Sequence, residues 1–341
     1  MRGSESLFQI EKVIQIAGQE NVSFDEPLSK HTTFRIGGNA TYFVTPETVE
    51  SLVEVIQYVR KEQFPYFILG NGSNLLAYDT GYDGMIIATH KTGNDKGQEK
   101  DENSMPLDLL EELPAGDAGR SKVEKYLSDT ESCRDKTLVL AGSGIMLSVM
   151  ANTIGKHGLA GFEFASGIPG TLGGAVTMNA GAYGGEIKDC ILGAMALLPD
   201  GTQHFYEAEE LELGYRTSII QTKELVVLWA VFAFEKGDAN QIEAIMQELN
   251  QKRREKQPLQ YGSAGSTFKR PEGMFAGKLI EDAGLKGYRV GDVMVSTKHC
   301  GFVVNVGNGT YEQAKQVIEH VQKTVQEKFG VWLEMEVRTI S

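Results

Sequence analysis

The chain is short of cysteine, proline, tryptophan and positive charge. Its only cysteines, Cys133, Cys190 and Cys300, are odd in number and far apart, with no CxxC pair and no Cys/His cluster. Neither a disulfide framework nor a zinc site follows from such spacing, and it suits a reduced, cytoplasmic setting. Lys and Arg number 33 against 46 Asp and Glu, a formal net charge of −13. Nucleic acid is therefore not expected as a partner, because neutralising phosphates takes a basic surface. A small anion stays open, since a few local donors override the global field. Long apolar runs are missing as well. The longest, Leu225–Phe234, is about half of the ~20 residues that a membrane-spanning helix needs, so no membrane span is expected. Met1 to Gly18 has no signal-like apolar core; Leu7, Ile10, Val13 and Ile14 instead mark one face of an amphipathic helix. The six histidines show no metal-ligand spacing, and no metal is expected. No Gly-Lys-Ser/Thr P-loop, GxSxG elbow or HExxH helix occurs, which removes support for an NTPase, a serine hydrolase or a zinc protease.

What is present is α/β alternation in a chain of 341 residues, enough for two or three domains. Val49 to Gln63 predicts a helix with Leu52, Val53, Ile56 and Val59 on one face. Strands are expected at Pro65–Leu69, Met85–Ala88, Thr137–Ala141, Ala194–Leu198, Glu224–Glu235 and Phe302–Asn305. A final strand is expected at Leu333–Ile340 and would carry Glu336. Further helices are read over Met146–His157, Asp238–Lys256, Ala276–Ala283 and Tyr311–Phe329. From about Lys91 to Asp135 the pattern breaks into an acidic, glycine-containing stretch with the composition of a solvated or disordered insertion. Local order is expected there only around Leu107–Leu113 and Val123–Leu127.

Two glycine-rich loops are the first candidates for chemistry. Gly70-Asn71-Gly72-Ser73-Asn74 follows a strand, and converging backbone N–H groups in such a turn suit a pyrophosphate without any lysine. Taken alone, a plain tight turn between strand and helix is the commoner explanation. It is not a Rossmann fingerprint, because Leu75 stands where the third glycine belongs. Ile168-Pro169-Gly170-Thr171-Leu172-Gly173-Gly174-Ala175 is the second loop, open either to close helix packing or to a flat or anionic ligand. The pair makes a dinucleotide more plausible than either loop does singly. Arg216, Ser266 and Glu336 taken one by one read as a surface cation, a turn hydroxyl and a solvated carboxylate.

In combination these segments resemble the UDP-N-acetylenolpyruvoylglucosamine reductases, the MurB family. The resemblance is carried, in family order, by His31–Ala40, Leu69–Leu76, Ser166–Ala175 running on to Met178–Gly184, Tyr215–Ser218, Ala264–Lys269 and Glu336–Arg338. It spans nearly the whole chain except the insertion. It implies an FAD-binding α/β region of the vanillyl-alcohol-oxidase (PCMH) type, made of two subdomains, 1–90 and 91–235, the latter holding the insertion at about 91–135. A C-terminal α+β substrate domain, 236–341, would follow, its last strand returning to the active site. Arg35, Gly37, Gly70, Asn71, Gly72, Ser73, Asn74, Leu75, Ile168, Pro169, Gly170, Thr171, Gly173, Gly174 and Ala175 would bind FAD.

The resemblance also implies a reaction. NADPH would reduce FAD, and the enolpyruvyl ether of UDP-N-acetylglucosamine would then accept hydride, giving UDP-N-acetylmuramate for peptidoglycan synthesis. Arg216 and Glu336 would polarise the substrate carboxylate, and Ser266 would deliver the proton. Tyr215, Tyr261, Lys269 and Arg270 are candidate substrate contacts; Arg270 stands where many relatives have asparagine. The short link after Tyr215 resembles the family subtype that lacks a tyrosine-bearing loop, which makes Tyr261 one candidate for the aromatic that covers the substrate. Two other readings remain: an FAD-dependent oxidase of the same fold acting on a sugar or hydroxy acid, and a non-catalytic flavin-binding regulator.

Overall fold

A computed structural model describes residues 8–90 and 105–341. Expectations for Leu7 and for 91–104 fall outside the described residues. By its internal contacts the chain divides into two units, one of Met1–Val22, Val44–Gly70 and Ile87–Gln251, the other of Ser23–Phe43, Asn71–Ile86 and Lys252–Ser341.

The first unit is built on an antiparallel sheet. Its neighbour order is Gln203–Glu207, Ile191–Leu197, Val226–Lys236, Thr137–Gly142, Leu110–Leu113, with Leu159–Ala160 pairing separately to Val226–Lys236. Val226–Lys236 is central, and its unbroken Val-Val-Leu-Trp-Ala-Val-Phe run is buried residue by residue. A strand covered on both faces has no reason to alternate. Leu147, Met150, Ala151 and Ile154 of the helix Leu147–Lys156 join that core. The Pro199–Thr202 turn links two neighbouring strands as expected, with Leu198 N–H donating to the Thr202 carbonyl at 2.8 Å. The helix Val49–Lys61 opens on a capping box formed by Thr48 and Ser51.

The stretch expected to be a solvated or disordered insertion is ordered in its described part. Residues 105–135 are not a solvated excursion. Leu110–Leu113 adds an edge strand to the sheet, pairing Leu110 with Ala141 and Leu113 with Leu138. Leu107, Leu113 and Val123 are buried. Arg120, 5% exposed, donates to the carbonyls of Lys136 at 2.8 Å and Cys133 at 3.1 Å and pairs with Glu124 at 2.8 Å. Composition misleads at this point because an edge strand draws its backbone hydrogen bonds from an existing sheet, so a few leucines are enough to seat it. The order expected near Leu107–Leu113 and Val123–Leu127 is present as this strand and as the short helix Ser121–Glu124.

In the second unit the helix Tyr311–Phe329 packs with Ala276–Asp282 and a three-stranded antiparallel sheet, Arg289–Val290, Val293–Val295 and Val303–Asn305. Ala314, Val317, Ile318, Val321 and Val325 form its buried stripe. Thr310 caps its start, and Gly330, at φ 70°, ends it in the left-handed conformation. Asp79 adds a second cap, accepting the N–H groups of Tyr311 at 2.7 Å and Glu312 at 3.2 Å. The closing strand is shorter than expected. It covers Arg338–Ile340, parallel to Leu75–Ala77, so Glu336 lies before the strand and not in it. The cause is where the backbone bonds go: Glu336 N–H donates to the Thr267 carbonyl at 2.9 Å, and Lys269 N–H to the Glu334 carbonyl at 2.9 Å. No described helix is long and apolar enough to cross a membrane, and the described residues contain no group of three or more His, Cys, Asp or Glu that could hold a metal.

Candidate active site

In the first unit the loop Ile168–Ala175 leads into the helix Leu172–Thr177. It is laced to the turn that follows Thr137–Gly142. Leu147 N–H donates to the Gly170 carbonyl at 2.9 Å, Leu172 N–H to Ile145 at 2.9 Å, and Gly173 N–H to Ser143 at 2.8 Å. Strand Tyr66–Leu69 delivers Gly70 against the same loop, where an added Cβ would stand 2.5 Å from Thr171 Oγ1. Thr171 Oγ1 and Ser143 Oγ are buried and lack a hydrogen-bond partner among the described residues. A buried hydroxyl left unpaired costs about 1–3 kcal/mol, and a bound polar ligand can recover that cost. Gly174 is different again: an added Cβ would meet nothing closer than 3.6 Å. Closely packed glycines, unpaired hydroxyls and one glycine that leaves room for a side chain fit a dinucleotide laid on this loop.

Arg216 sits on the loop before the short helix Ile219–Thr222, at φ 56°. Its guanidinium is 5.5 Å from the centre of the exposed Tyr215 ring, and its carbonyl accepts from Gln221 Nε2 at 3.2 Å. Asn179, 1% exposed, ties this loop down. Its Nδ2 donates to Glu186 at 2.9 Å and to the Gly214 carbonyl at 3.1 Å. The Lys188 hydrogen bond, then that of Asn179, and the charges of Lys188 and Arg216 hold the Glu186 carboxyl below its usual range. Sequence reasoning assigned Asn179 and Glu186 no role. The signal was there in Met178–Gly184, a matched block with no stated chemistry.

The second unit brings Ser266, Glu336 and the Asn71–Leu75 loop together. Ser266 is exposed and follows Gly265, at φ 78°. The next residue, Thr267, is pinned on two sides. Its N–H donates to the Gly301 carbonyl at 2.9 Å, its Oγ1 accepts from Val303 N–H at 2.9 Å, and its carbonyl receives Glu336 N–H at 2.9 Å. Glu336 is half-buried, and its carbonyl accepts from Asn74 Nδ2 at 3.1 Å, while Arg338 N–H donates to the Asn74 carbonyl at 3.0 Å. Leu75 is buried in the strand beside Arg338. Gly72 is glycine for the protein's own sake. It has φ 61°, and a Cβ would come 2.0 Å from the His31 carbonyl oxygen. Gly37, at φ 134°, likewise abuts Ala77. Asn71 and Ser73 are half-buried, and Pro169 is exposed.

Of the four candidate substrate contacts, Tyr215 belongs to the first unit and Tyr261, Lys269 and Arg270 to the second. Tyr215 keeps to the Arg216 loop. Lys269 pairs with Glu334 at 3.1 Å on the surface, a contact worth little by itself. Arg270 lies 4.0 Å over the Phe275 ring. Tyr261 joins Arg35 in a cavity of ≈ 180 Å³ within the second unit, lined also by Gln260, Asn305, Val306 and Gly307.

Comparison with known proteins agrees with this geometry. An FAD binding domain family matches residues 40–105 and 122–205, and the C-terminal domain of UDP-N-acetylenolpyruvoylglucosamine reductase matches 257–340. The UDP-N-acetylenolpyruvoylglucosamine reductase of Lachnoclostridium phytofermentans is 47% identical over 331 residues, 97% of this chain and 96% of the relative. That of Staphylococcus aureus (strain Newman) is 42% identical over 326 residues, 96% and 94% of the two chains. The crystal structure of the Thermus caldophilus reductase (MurB) superposes with a TM-score of 0.69 at 31% identity, covering 94% of this chain and 98% of that one. The chain belongs to the UDP-N-acetylenolpyruvoylglucosamine reductase (MurB) family of flavin oxidoreductases, with an FAD-binding domain joined to the family's C-terminal domain.

Proposed function

We propose that the chain is an NADPH-dependent cytoplasmic reductase that converts the enolpyruvyl ether of UDP-N-acetylglucosamine to UDP-N-acetylmuramate for peptidoglycan synthesis. The observation that carries this reading is the fixing of Ser266 and Glu336 on neighbouring segments through Thr267, beside an Asn71–Leu75 loop of the kind that binds phosphates. FAD binding is assigned to subdomains 1–90 and 91–235, through the Gly70–Leu75 and Ile168–Ala175 loops with Gly37, and substrate binding to 236–341.

Bound FAD, reduced by NADPH, supplies the hydride. Hydride adds to one carbon of the enolpyruvyl double bond and leaves carbanion character, delocalised into the carboxylate, on the other. The chain's own residues handle the resulting charge and the proton. Arg216 offers a fork of donors to the carboxylate as negative charge builds there. Glu336 shares the work of polarising that carboxylate. Ser266 donates its hydroxyl proton to the carbanionic carbon and recovers one from solvent. A serine hydroxyl is a weak acid in water, but a strongly basic carbon held beside it takes the proton.

Anaerobic mixing tests the reading. NADPH should bleach the yellow flavin, and the enolpyruvyl sugar nucleotide should then restore its absorbance. The flavin should be non-covalent and leave with the supernatant on denaturation. Protein that is indifferent to FAD, or flavin bleached by a sugar alone and not by NADPH, would overturn the proposal, the second result in favour of an oxidase.

A further inference from the structure

Arg35 is placed in an unusual way. Its backbone is left-handed, at φ 58°, a conformation that non-glycine residues adopt only where their surroundings impose it. Its exposed guanidinium makes no ion pair or hydrogen bond among the described residues, although the chain has a net charge of −13. Among the described residues no carboxylate lines the cavity that Arg35 helps to form.

The constraint on its backbone comes from Asn305, 5% exposed. Asn305 Nδ2 donates to the Phe34 carbonyl at 3.2 Å and the Arg35 carbonyl at 3.3 Å. Asn305 Oδ1 accepts from Gly307 N–H at 3.2 Å and Gly309 N–H at 2.9 Å. Both donors and both lone pairs of the amide are therefore used, and they fasten the Arg35 wall of the cavity to the 306–309 wall. A third wall is tied in by backbone pairing of Asn305 with Gly262, at 2.8 and 3.2 Å, and by Thr33 Oγ1 donating to the Ser263 carbonyl at 2.6 Å. Tyr261 lies on that wall. At ≈ 180 Å³ the cavity is smaller than the roughly 300–1,000 Å³ that enclose a whole drug-sized ligand. It suits one phosphate with part of its sugar or base.

We propose that this cavity is a phosphate-ester subsite in which Arg35 is the cationic ligand, Tyr261 flanks the sugar or base, and Asn305 is the positioning residue that holds Arg35 there. Arg35 and Tyr261 thus serve one ligand. The inference rests on the reading of the chain as a nucleotide-handling reductase. The phosphate can belong to FAD, to the nicotinamide donor or to the uridine diphosphate sugar, and the test separates these sources.

Apoprotein is titrated with FAD, and FAD-loaded protein with 2′,5′-ADP and with UDP, by calorimetry. In Arg35→Gln one of the three should bind about tenfold or more weakly, the scale of a lost charge-assisted pair, with the other two within about twofold. The ligand affected names the source. Arg35→Lys should recover part of the loss, and Asn305→Ala should weaken the same ligand and no other. Asn305→Ala can fail to fold, so Arg35→Gln, altered at an exposed side chain, carries the decision. All three affinities within twofold in Arg35→Gln would overturn the subsite, as would equal loss of all three. Wild-type protein that binds none of them would overturn the proposed function itself, and this is seen before any variant is compared.

Discussion

Gly72 and Gly174 lie in the two glycine-rich loops, and they are glycine for opposite reasons. At Gly72 the protein itself forbids a side chain, because φ is 61° and the His31 carbonyl oxygen occupies the Cβ position at 2.0 Å. At Gly174 the protein leaves room, with nothing within 3.6 Å and no positive φ. Two sequence patterns that look alike thus divide into a glycine that shapes its own loop and one that keeps space for something else. The same division separates Gly173, pressed on Ser143 at 3.0 Å, from its neighbour Gly174.

Breaking the protein's own packing should have the largest consequences. Replacing 105–135 by a short Gly/Ser bridge removes an edge strand and the buried Arg120, and should leave no cooperative unfolding transition by circular dichroism. A bridged variant that melts cooperatively near wild type would show that the strand contributes little. Gly72→Ala comes next. Left-handed strain and a backbone clash together should cost about 3 kcal/mol, read as a lower denaturation midpoint even in FAD-free protein. Gly174→Ala sharpens the contrast. Alanine in the first turn of a helix should stabilise the apoprotein by up to about 1 kcal/mol, while FAD affinity should fall about tenfold, near 1.4 kcal/mol. Unchanged FAD affinity would remove Gly174 from the cofactor site.

The smallest effect is expected at Asp292, which supports the 306–309 loop. The Asn308 backbone N–H, then Arg289, hold its carboxyl below the ordinary range. A depressed folded-state pKa contributes stability above the unfolded value and loses it as pH falls through the folded one. Asp292→Asn should therefore melt slightly lower than wild type at pH 7, and the gap should close on acidification below pH ~4. A gap that widened on acidification would contradict this.

Periodic elements were the most legible in the sequence. The helix Tyr311–Phe329 matches its expected bounds residue for residue, and Val49–Lys61 differs by two at its end, because a buried stripe at helical spacing leaves little freedom. Strand Leu110–Leu113 was obscured by its acidic surroundings, since an edge strand is stabilised by a sheet partner distant in sequence. The final strand was read as too long because extended residues near Glu336 bond to the 267–269 loop and not to a neighbouring strand. For the site, the motif residues could be singled out only in combination, through the family resemblance, whereas Asn305 could not be singled out at all. Two of its four side-chain hydrogen bonds reach carbonyls about 270 residues away in sequence, and no local pattern announces that. Asn179 was hidden in a similar way, its partners Glu186 and Gly214 lying 7 and 35 residues further along the chain.

Ser266, the neighbour of the Thr267 to which Glu336 is bonded, is proposed to serve only the step that protonates the substrate. Stopped-flow absorbance of Ser266→Ala under anaerobic conditions tests it most directly. Flavin reduction by NADPH should stay within about twofold of wild type, while reoxidation by the enolpyruvyl sugar nucleotide should slow by at least ~100-fold, the low end for a positioned general acid. Equal slowing of both half-reactions, or of neither, would contradict the claim.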